Sequence, residues 1–217
     1  MDFGPTRAKA EGRDPYLAPE LWALFPDALD DEDRPVGWQE KKLSEIIDRL
    51  PAGKLYDQKT VLPVGKVPVF DQGKSGIIGY HNNKPNIIAS QKKRVATFAN
   101  HTCLLRIVDH PFSTIQNVIP FIGSKLPTEW VYFATIGKQN FEEYKGHWPS
   151  LMNKDITVPN ASSTEMFAMI VDTLLNKISF NNKESDYLAK TRDLLLPKLM
   201  SGEICLRETE KFVEAAT

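Results

Sequence analysis

The sequence has few cysteines and no long apolar run, and both absences narrow what the protein can be. Its two cysteines, Cys103 and Cys205, stand far apart without a CxxC spacing, and its four histidines are scattered. This distribution argues against a disulfide framework and a structural zinc site, so we expect reduced thiols in a cytoplasmic protein. No segment approaches the roughly 20 apolar residues of a membrane-spanning helix, and positions 1–10 lack the apolar run of a signal peptide.

Motifs for catalysis are also missing. No glycine-rich loop has the spacing of a P-loop or a dinucleotide-binding turn, and no Ser-His-Asp or Cys-His arrangement stands out. Pro26-Asp27 followed by Glu40-Lys41-Lys42 fits a loose nuclease pattern. Metal-dependent cleavage needs both acids and the lysine to converge on one ion, whereas here one acid lies in a proline-rich arm and the other on a predicted surface helix. We therefore expect no catalytic residues, no metal ligands and no cofactor on this chain.

Charge is distributed unevenly, although the 217-residue chain has a formal net charge of only −1. Positions 1–48 carry six basic and twelve acidic residues, whereas positions 59–108 carry eight basic residues and a single acid, Asp71. A local basic block is what binding to phosphates requires, whatever the total charge. From charge alone, a solvated basic face without a partner is an equal alternative.

Proline, glycine and hydrophobic periodicity divide the chain into four predicted segments. They are a lead-in arm at 1–36 in which only 20–25 is expected to form a helical turn, a domain of short strands at 37–160, a long helix at 161–204 and a tail at 205–217. Within the domain, helices are expected at 38–50 and 127–144. A small twisted mixed β-sheet with flanking helices, followed by a long coiled-coil-type helix, predicts an α+β fold.

Short apolar or β-branched runs separated by turn residues predict the strands of this domain. These runs are 67–70, 77–80, 87–89, 95–98, 103–108, 118–122 and 156–158. The connecting loops carry groups that can read base edges or hold phosphates, with Lys and Arg suited to guanine and Asn and Gln to adenine. The predicted DNA-binding residues are Gln72, Lys74, Ser75, His81, Asn82, Asn83, Lys84, Lys145 and His147, with Lys92, Lys93 and Arg94 as phosphate anchors.

The long helix carries apolar residues at heptad spacing, which predicts a seam that packs against another helix. The predicted interface residues are Phe167, Val171, Leu174, Ile178, Asn181, Leu188, Leu195 and Leu199. At 1.5 Å per residue the seam from Phe167 to Leu199 would be roughly 50 Å long, more than the small domain can cover. The alternative is a hairpin of two shorter helices that turns near Asn181 and Asn182.

The C-terminal segment closely resembles a known signature. The run Leu188-Ala-Lys-Thr-Arg-Asp-Leu-Leu-Leu-Pro-Lys-Leu-Met-Ser-Gly-Glu-Ile204 is similar to the end of the specificity subunits of type I restriction-modification enzymes. Weaker similarities to the same subunits lie at 2–12, at Gly37-Trp38, at Val67-Pro68-Val69-Phe70, at 76–80 and at 156–159. The chain differs from these subunits in carrying one recognition domain and one spacer helix, as a half-subunit or the C-terminal half of a longer chain.

The resemblance implies a partnership in which this chain reads double-stranded DNA and other subunits act on it. It implies methyltransferase subunits that use S-adenosylmethionine, a restriction subunit that uses ATP and Mg²⁺, and pairing with itself or with another half-subunit. Two alternatives stay open: a fragment of a fused enzyme with site-specific nuclease activity, and a coiled-coil scaffold without sequence readout. Metal-dependent cleavage by the chain alone would favour the first, and a lack of sequence-dependent DNA binding would favour the second.

Overall fold

A computed structural model describes residues 3–143 and 145–204 of the chain. The described elements follow one another in the order α1 Gly4–Ala10, α2 Pro19–Trp22, β1 Gln39–Lys42, α3 Leu43–Ile46, β2 Ile47–Arg49, β3 Val67–Phe70, β4 Ile77–His81, β5 Val95–Ala99, β6 Leu105–Val108, β7 Ser113–Thr114, β8 Val118–Gly123, α4 Thr128–Thr135, α5 Trp148–Met152, β9 Asp155–Val158 and α6 Ala161–Met200. Contacts divide the chain into two units, Met1–Val171 and Asp172–Thr217, so that α6 begins in the first and continues in the second. The α+β class and the long C-terminal helix are confirmed.

The strands form three small sheets, where the sequence predicted one. A four-stranded antiparallel sheet has the order β2-β8-β5-β6, and a three-stranded sheet has the order β4-β3-β7 with β7 parallel to β3. Strands β1 and β9 pair with each other from opposite ends of the first unit, Gln39 opposite Val158. All three sheets lie in the first unit.

The inner strand β5 of the four-stranded sheet is buried on both of its faces, and every one of its residues is buried. Ala96 and Phe98 face a cluster that includes Phe121, Trp130 and Leu151. Because side chains alternate across a strand, Val95 faces the other side, where it joins a cluster with Phe70 and Phe112. The sheet is therefore the common wall of two hydrophobic cores.

The N-terminal region differs from the prediction in two places. The arm contains a helix at Gly4–Ala10, with a proline in its first turn and Thr6 and Ala8 buried; proline is favoured there because its fixed φ suits a helix start. The predicted helix at 38–50 is one turn, Leu43–Ile46, because Gln39–Lys42 form β1 and Ile47 already pairs with Gly123 as part of β2. The run 87–89 forms only a bridge, between Ile87 and Phe112.

The predicted helix at 127–144 is shorter, and the predicted helix at 161–204 is continuous. Helix α4 ends at Thr135 because Ile136 is extended and Gly137 has a φ of 75°; Tyr144, at the end of the predicted range, lies outside the described residues. Helix α6 runs without a break through Asn181 and Asn182, with Pro197 in its last turn, so the two-helix alternative is wrong. The predicted tail at 205–217, with Cys205, also lies outside the described residues.

Candidate nucleic-acid interface

The β3–β4 hairpin carries both of the loops that the sequence predicted to read bases, but at opposite ends. Phe70 pairs with Ile77 beside the loop of Gln72, Lys74 and Ser75. Val67 pairs with His81 at the other end, where Asn82 follows. The two loops are thus separated by the length of a four-residue strand, about 13 Å. We call them the Gln72 loop (71–76) and the Asn82 loop (82–86).

Arg106 holds the Gln72 loop from β6. Its Nη1 donates to the backbone oxygen of Asp71 at 3.1 Å, and its Nη2 donates to the backbone oxygen of Gly73. Burial lowers the pKa of Arg106, and the charge of Asp71 opposes this. Gly76 has a φ of 82°, and a Cβ there would come within 2.8 Å of Arg106 Nε, so the turn requires glycine. Arg106 belongs to the basic block of the sequence, yet it acts as a support for this loop.

The turn between β5 and β6 joins the Gln72 loop to the loop before α5. The backbone N–H of His101 donates to Gln72 Oε1 at 2.9 Å, and Thr102 Oγ1 donates to the backbone oxygen of Gln72 at 2.7 Å. His101 Nδ1 donates to the backbone oxygen of Lys145 at 2.8 Å. Sequence reasoning missed this turn; its one signal was the polar run Asn100-His101-Thr102 between two strand-forming segments.

The loop at 145–148 presents Lys145 to solvent and buries His147. Lys145 pairs with Glu142 at 3.1 Å and Glu143 at 3.0 Å, and hydrogen bonds with Glu143 first and Glu142 next raise its pKa. His147 is fully buried, and its Nδ1 donates to the backbone oxygen of Asn100 at 3.1 Å. The prediction of a DNA contact at His147 conflicts with this burial, because its ring cannot reach a base edge or a phosphate in this conformation.

The Asn82 loop rests on a buried polar cluster centred on His81. The His81 ring stacks on Tyr56 with centroids 4.2 Å apart, and its Nδ1 accepts the backbone N–H of Asn83 at 3.1 Å. The ring proton must then be on Nε2, which donates to Ser113 Oγ at 2.9 Å. A histidine that donates to a serine cannot act as its general base, so this pair is structural. His81 is therefore a buried support of the Asn82 loop, although the sequence predicted that it contacts DNA.

Exposed polar side chains remain on both loops and on the turn before β5. Lys74, Ser75, Asn82, Asn83 and Lys84 are exposed, as are Lys92 and Lys93, and Gln72 is half-buried. Arg94 is the exception in its run: its side chain is 2% exposed and its Nη1 pairs with Glu129 Oε1 at 3.2 Å. Its predicted role as a phosphate anchor conflicts with this geometry, because the charge is already paired inside the protein.

The predicted seam of α6 is divided between the two units. In the first unit, Val171 is buried and Phe167 meets Phe133 edge to face at 5.7 Å between centroids. In the second unit the remaining seam residues are exposed, namely Leu174, Ile178, Asn181, Leu188, Leu195 and Leu199. Phe180, Tyr187 and Leu194, also in the second unit, form a second exposed apolar stripe on the opposite side of the helix, which the sequence reasoning missed.

The acids of the loose nuclease pattern are engaged in different ion pairs. Asp27 pairs with Lys9 at 2.9 Å, and Glu40 pairs with Arg34 at 3.1 Å. Within residues 3–143 and 145–204, no group of three or more His, Cys, Asp or Glu side chains is placed to hold a metal ion. Cys103 is a free thiol, half-buried, whose pKa is raised by burial. No helix in this part of the chain is long and apolar enough to cross a membrane.

Two known proteins are similar to this chain. The MjaIX specificity subunit of a type I restriction enzyme from Methanocaldococcus jannaschii is 24% identical over 212 aligned residues, which cover 85% of this chain and 48% of the relative. The crystal structure of the type I restriction-modification S subunit from M. genitalium superposes with a TM-score of 0.59 at 19% identity, over 90% of this chain and 52% of that one. No protein-family model matches the sequence.

The two similarities agree on how much of each known subunit aligns with this chain. It spans about half the length of the curated relative and about half of the solved chain. The crystal structure supports the fold: a domain of small sheets followed by a long helix. The resemblance to type I specificity subunits is thereby confirmed, and in sequence and fold this chain corresponds to one half of such a subunit.

Proposed function

We propose that this chain is a DNA-recognition subunit of a type I restriction-modification system and reads one half of a bipartite target. The observation that carries the proposal is the sequence similarity to the MjaIX specificity subunit across 85% of the chain. In this proposal, residues 37–160 form the recognition domain, 161–204 form the spacer helix and 1–36 form the lead-in arm. Methyltransferase and restriction subunits would bind S-adenosylmethionine, ATP and Mg²⁺ and perform the chemistry.

The exposed polar groups around the β3–β4 hairpin are the proposed contact surface. They combine amides, a hydroxyl and lysines on loops that a rigid framework supports, which is how binding residues are usually presented. Amides and hydroxyls can read base edges, while lysines hold phosphates and set the salt dependence. The proposed DNA-contact residues are Gln72, Lys74, Ser75, Asn82, Asn83, Lys84, Lys92, Lys93 and Lys145. His81, Arg94 and His147 are left out of this surface because they are buried.

The exposed apolar stripes of α6 are the proposed assembly surface. Two half-sites separated by unread base pairs need two readers at a fixed distance, since a flexible link would lose the register on the duplex. A helix seam that includes Leu174, Ile178 and Leu188 supplies such a rigid connection when it packs against a second spacer helix. The stripe that includes Phe180 and Tyr187 leaves a second side of the same helix for a methyltransferase subunit.

The test is DNA binding by the full chain at several salt concentrations, with bound sequences recovered from a randomised duplex library. The proposal expects a selected half-site and an affinity that falls with salt. Replacing Lys92 and Lys93 with alanine is expected to weaken binding to all sequences alike and to reduce the salt slope by about 1 per lost phosphate contact. Binding without any selected sequence would instead favour the scaffold alternative, in which α6 mediates assembly and the domain reads no sequence.

A further inference from the structure

A hydrogen bond to the backbone of His101 fixes which end of the Gln72 side-chain amide is the oxygen and which is the nitrogen. The side-chain oxygen of Gln72, Oε1, accepts a hydrogen bond from the backbone N–H of His101 at 2.9 Å. A backbone N–H can only donate, so the atom that meets it must be the amide oxygen and not the amide nitrogen. The backbone of Gln72 is held as well, because Thr102 Oγ1 donates to its carbonyl oxygen at 2.7 Å.

This contact ties the oxygen end of the amide to the β5–β6 turn and leaves the NH₂ end for a ligand. Asn82, at the other end of the hairpin, is oriented in the same way, since its Oδ1 accepts the backbone N–H of Lys66 at 3.1 Å. Asn83 is different, because its partner, the hydroxyl of Tyr56 at 3.3 Å, can both donate and accept. Gln72 is therefore the best-defined of these groups, held at both its backbone and its side chain.

The orientation decides which base Gln72 can read. The usual amide pair with adenine needs the oxygen and the nitrogen to face the base edge together, one accepting from N6 and one donating to N7. An amide that offers only its two N–H donors matches the guanine edge, where N7 and O6 are both acceptors. Cytosine, whose group on that side is the N4 donor, is the poorest match.

We infer that Gln72 reads guanine in the major groove as a paired hydrogen-bond donor, with the β5–β6 turn setting that polarity through His101. This inference rests on the proposed function and adds the class of base to it. Residue type alone would suit a glutamine to adenine, because the sequence shows the amide but not the group that orients it.

The decisive variant is Gln72→Glu, which keeps an oxygen for His101 but replaces the two donors with a second acceptor. At the position that Gln72 contacts, the full chain is expected to select guanine and the Gln72→Glu chain cytosine, with the rest of the target unchanged. Gln72→Met should relax that position, with a loss of about ten- to hundredfold in discrimination. Gln116→Glu is the matched control. Gln116 lines the same polar cleft as Gln72, of about 560 Å³, and the substitution introduces the same negative charge there.

Two further measurements separate the readout from the fold. Replacing guanine with 7-deazaguanine at that position removes the N7 acceptor and should weaken binding by the parent about tenfold, but should leave binding by Gln72→Met unchanged. Hydrogen exchange of the His101 amide should be slow in the parent and in Gln72→Glu and faster in Gln72→Met. This last result requires no DNA.

The outcomes that would overturn the inference are distinct from failure of the proposed function. Selection of adenine at the Gln72 position would mean that the second lone pair of Oε1 also binds the base, and it would overturn the inference alone. The same holds if Gln72→Glu and the parent select identical targets. A parent chain that binds DNA without any sequence preference would overturn the proposed function, and the inference with it.

Discussion

The two parts of the chain treat their large apolar side chains in opposite ways. In the first unit, Phe98 and Phe121 are fully buried on one face of the four-stranded sheet. In the second unit, Leu174 is 58% and Leu188 59% exposed on α6. Leucine side chains that stay exposed to water contribute no hydrophobic free energy to folding. That free energy is released only when another surface covers them. The first unit therefore buries its large apolar side chains in its own core, whereas the helix of the second unit leaves them exposed, as the proposed assembly surface requires.

Truncation of the core should produce the largest effect on stability. Phe98→Ala removes a ring from the cluster that joins β5, β8 and α4, and we expect it to lower the free energy of unfolding by about 3–5 kcal/mol. Leu188→Ala removes a similar apolar area from an exposed site and should change it by less than about 0.5 kcal/mol. Urea denaturation of the two variants measures the difference. Equal losses would mean that Leu188 is covered within the folded chain.

The buried ion pair of Arg94 and Glu129 should have the next largest effect. Arg94→Ala leaves Glu129 without its partner in a site where its side chain is 16% exposed. We expect a loss of about 3 kcal/mol in unfolding free energy, the low end for a broken buried pair because Glu129 keeps some hydration. Lys93→Ala, one position away and exposed, is the control and should be neutral to within about 0.5 kcal/mol. Arg94→Leu combined with Glu129→Leu should recover part of the loss. Equal stability of Arg94→Ala and the parent would return Arg94 to the list of phosphate anchors.

The sequence predicted the strands and the long helix well because their signals are local. Strands β3, β4, β5 and β8 are apolar runs bounded by turn residues, and α6 is a long stretch without glycine and with helical periodicity. Helix α1 in the arm, the β1–β9 pair and β7 were missed. β1 pairs with a strand more than a hundred positions away, so nothing in its own residues, Gln39–Lys42, reveals it.

Contacts between distant parts of the sequence also explain why some of the predicted site residues are buried. Arg94 looks like Lys92 and Lys93 in the sequence, and what distinguishes it is burial together with a pairing to Glu129, thirty-five positions later. His81 looks like its exposed neighbours Asn82 and Asn83 until Ser113 and Tyr56 are placed around it. Residue type predicts the chemistry that a side chain can perform, whereas long-range contacts decide which side chains remain free to perform it.

Protonation of His81 should have a smaller effect on stability, confined to mildly acidic pH. Burial first, and the charge of Lys54 second, lower the pKa of His81 from its ordinary 6.5. The unfolded chain then binds a proton at a higher pH than the folded chain does. The contribution of neutral His81 to the free energy of unfolding is therefore full above about pH 6.5 and is lost as the pH falls towards the pKa of the folded state. The loss amounts to about 1.4 kcal/mol for each pH unit between the unfolded and the folded pKa.

Thermal unfolding from pH 7.5 to 5 checks this expectation. The parent should lose stability over that range, and His81→Gln should lose less while starting from a lower value. His110→Gln, at an exposed site, should leave the pH dependence in place. If His81→Gln showed the same pH dependence as the parent, the effect would belong to another group.

Acidic substitutions on the exposed seam should have the smallest effect on stability and the largest on association. Leu174→Asp combined with Leu188→Asp places two carboxylates on one side of α6, where burial against another helix would cost far more than their exposure does. We expect the loss in the second unit to stay near 0.5 kcal/mol for each substitution, the difference in helix propensity, while the first unit unfolds as in the parent. Light scattering should then show a monomer where the parent chain self-associates. Phe180→Asp combined with Leu194→Asp is the matched control, with the same spacing on the opposite stripe, and it should still self-associate. If both pairs abolished association, the two stripes would form one continuous interface. If neither did, the parent would associate through the first unit, and the contrast between a self-sufficient core and an association helix would fail.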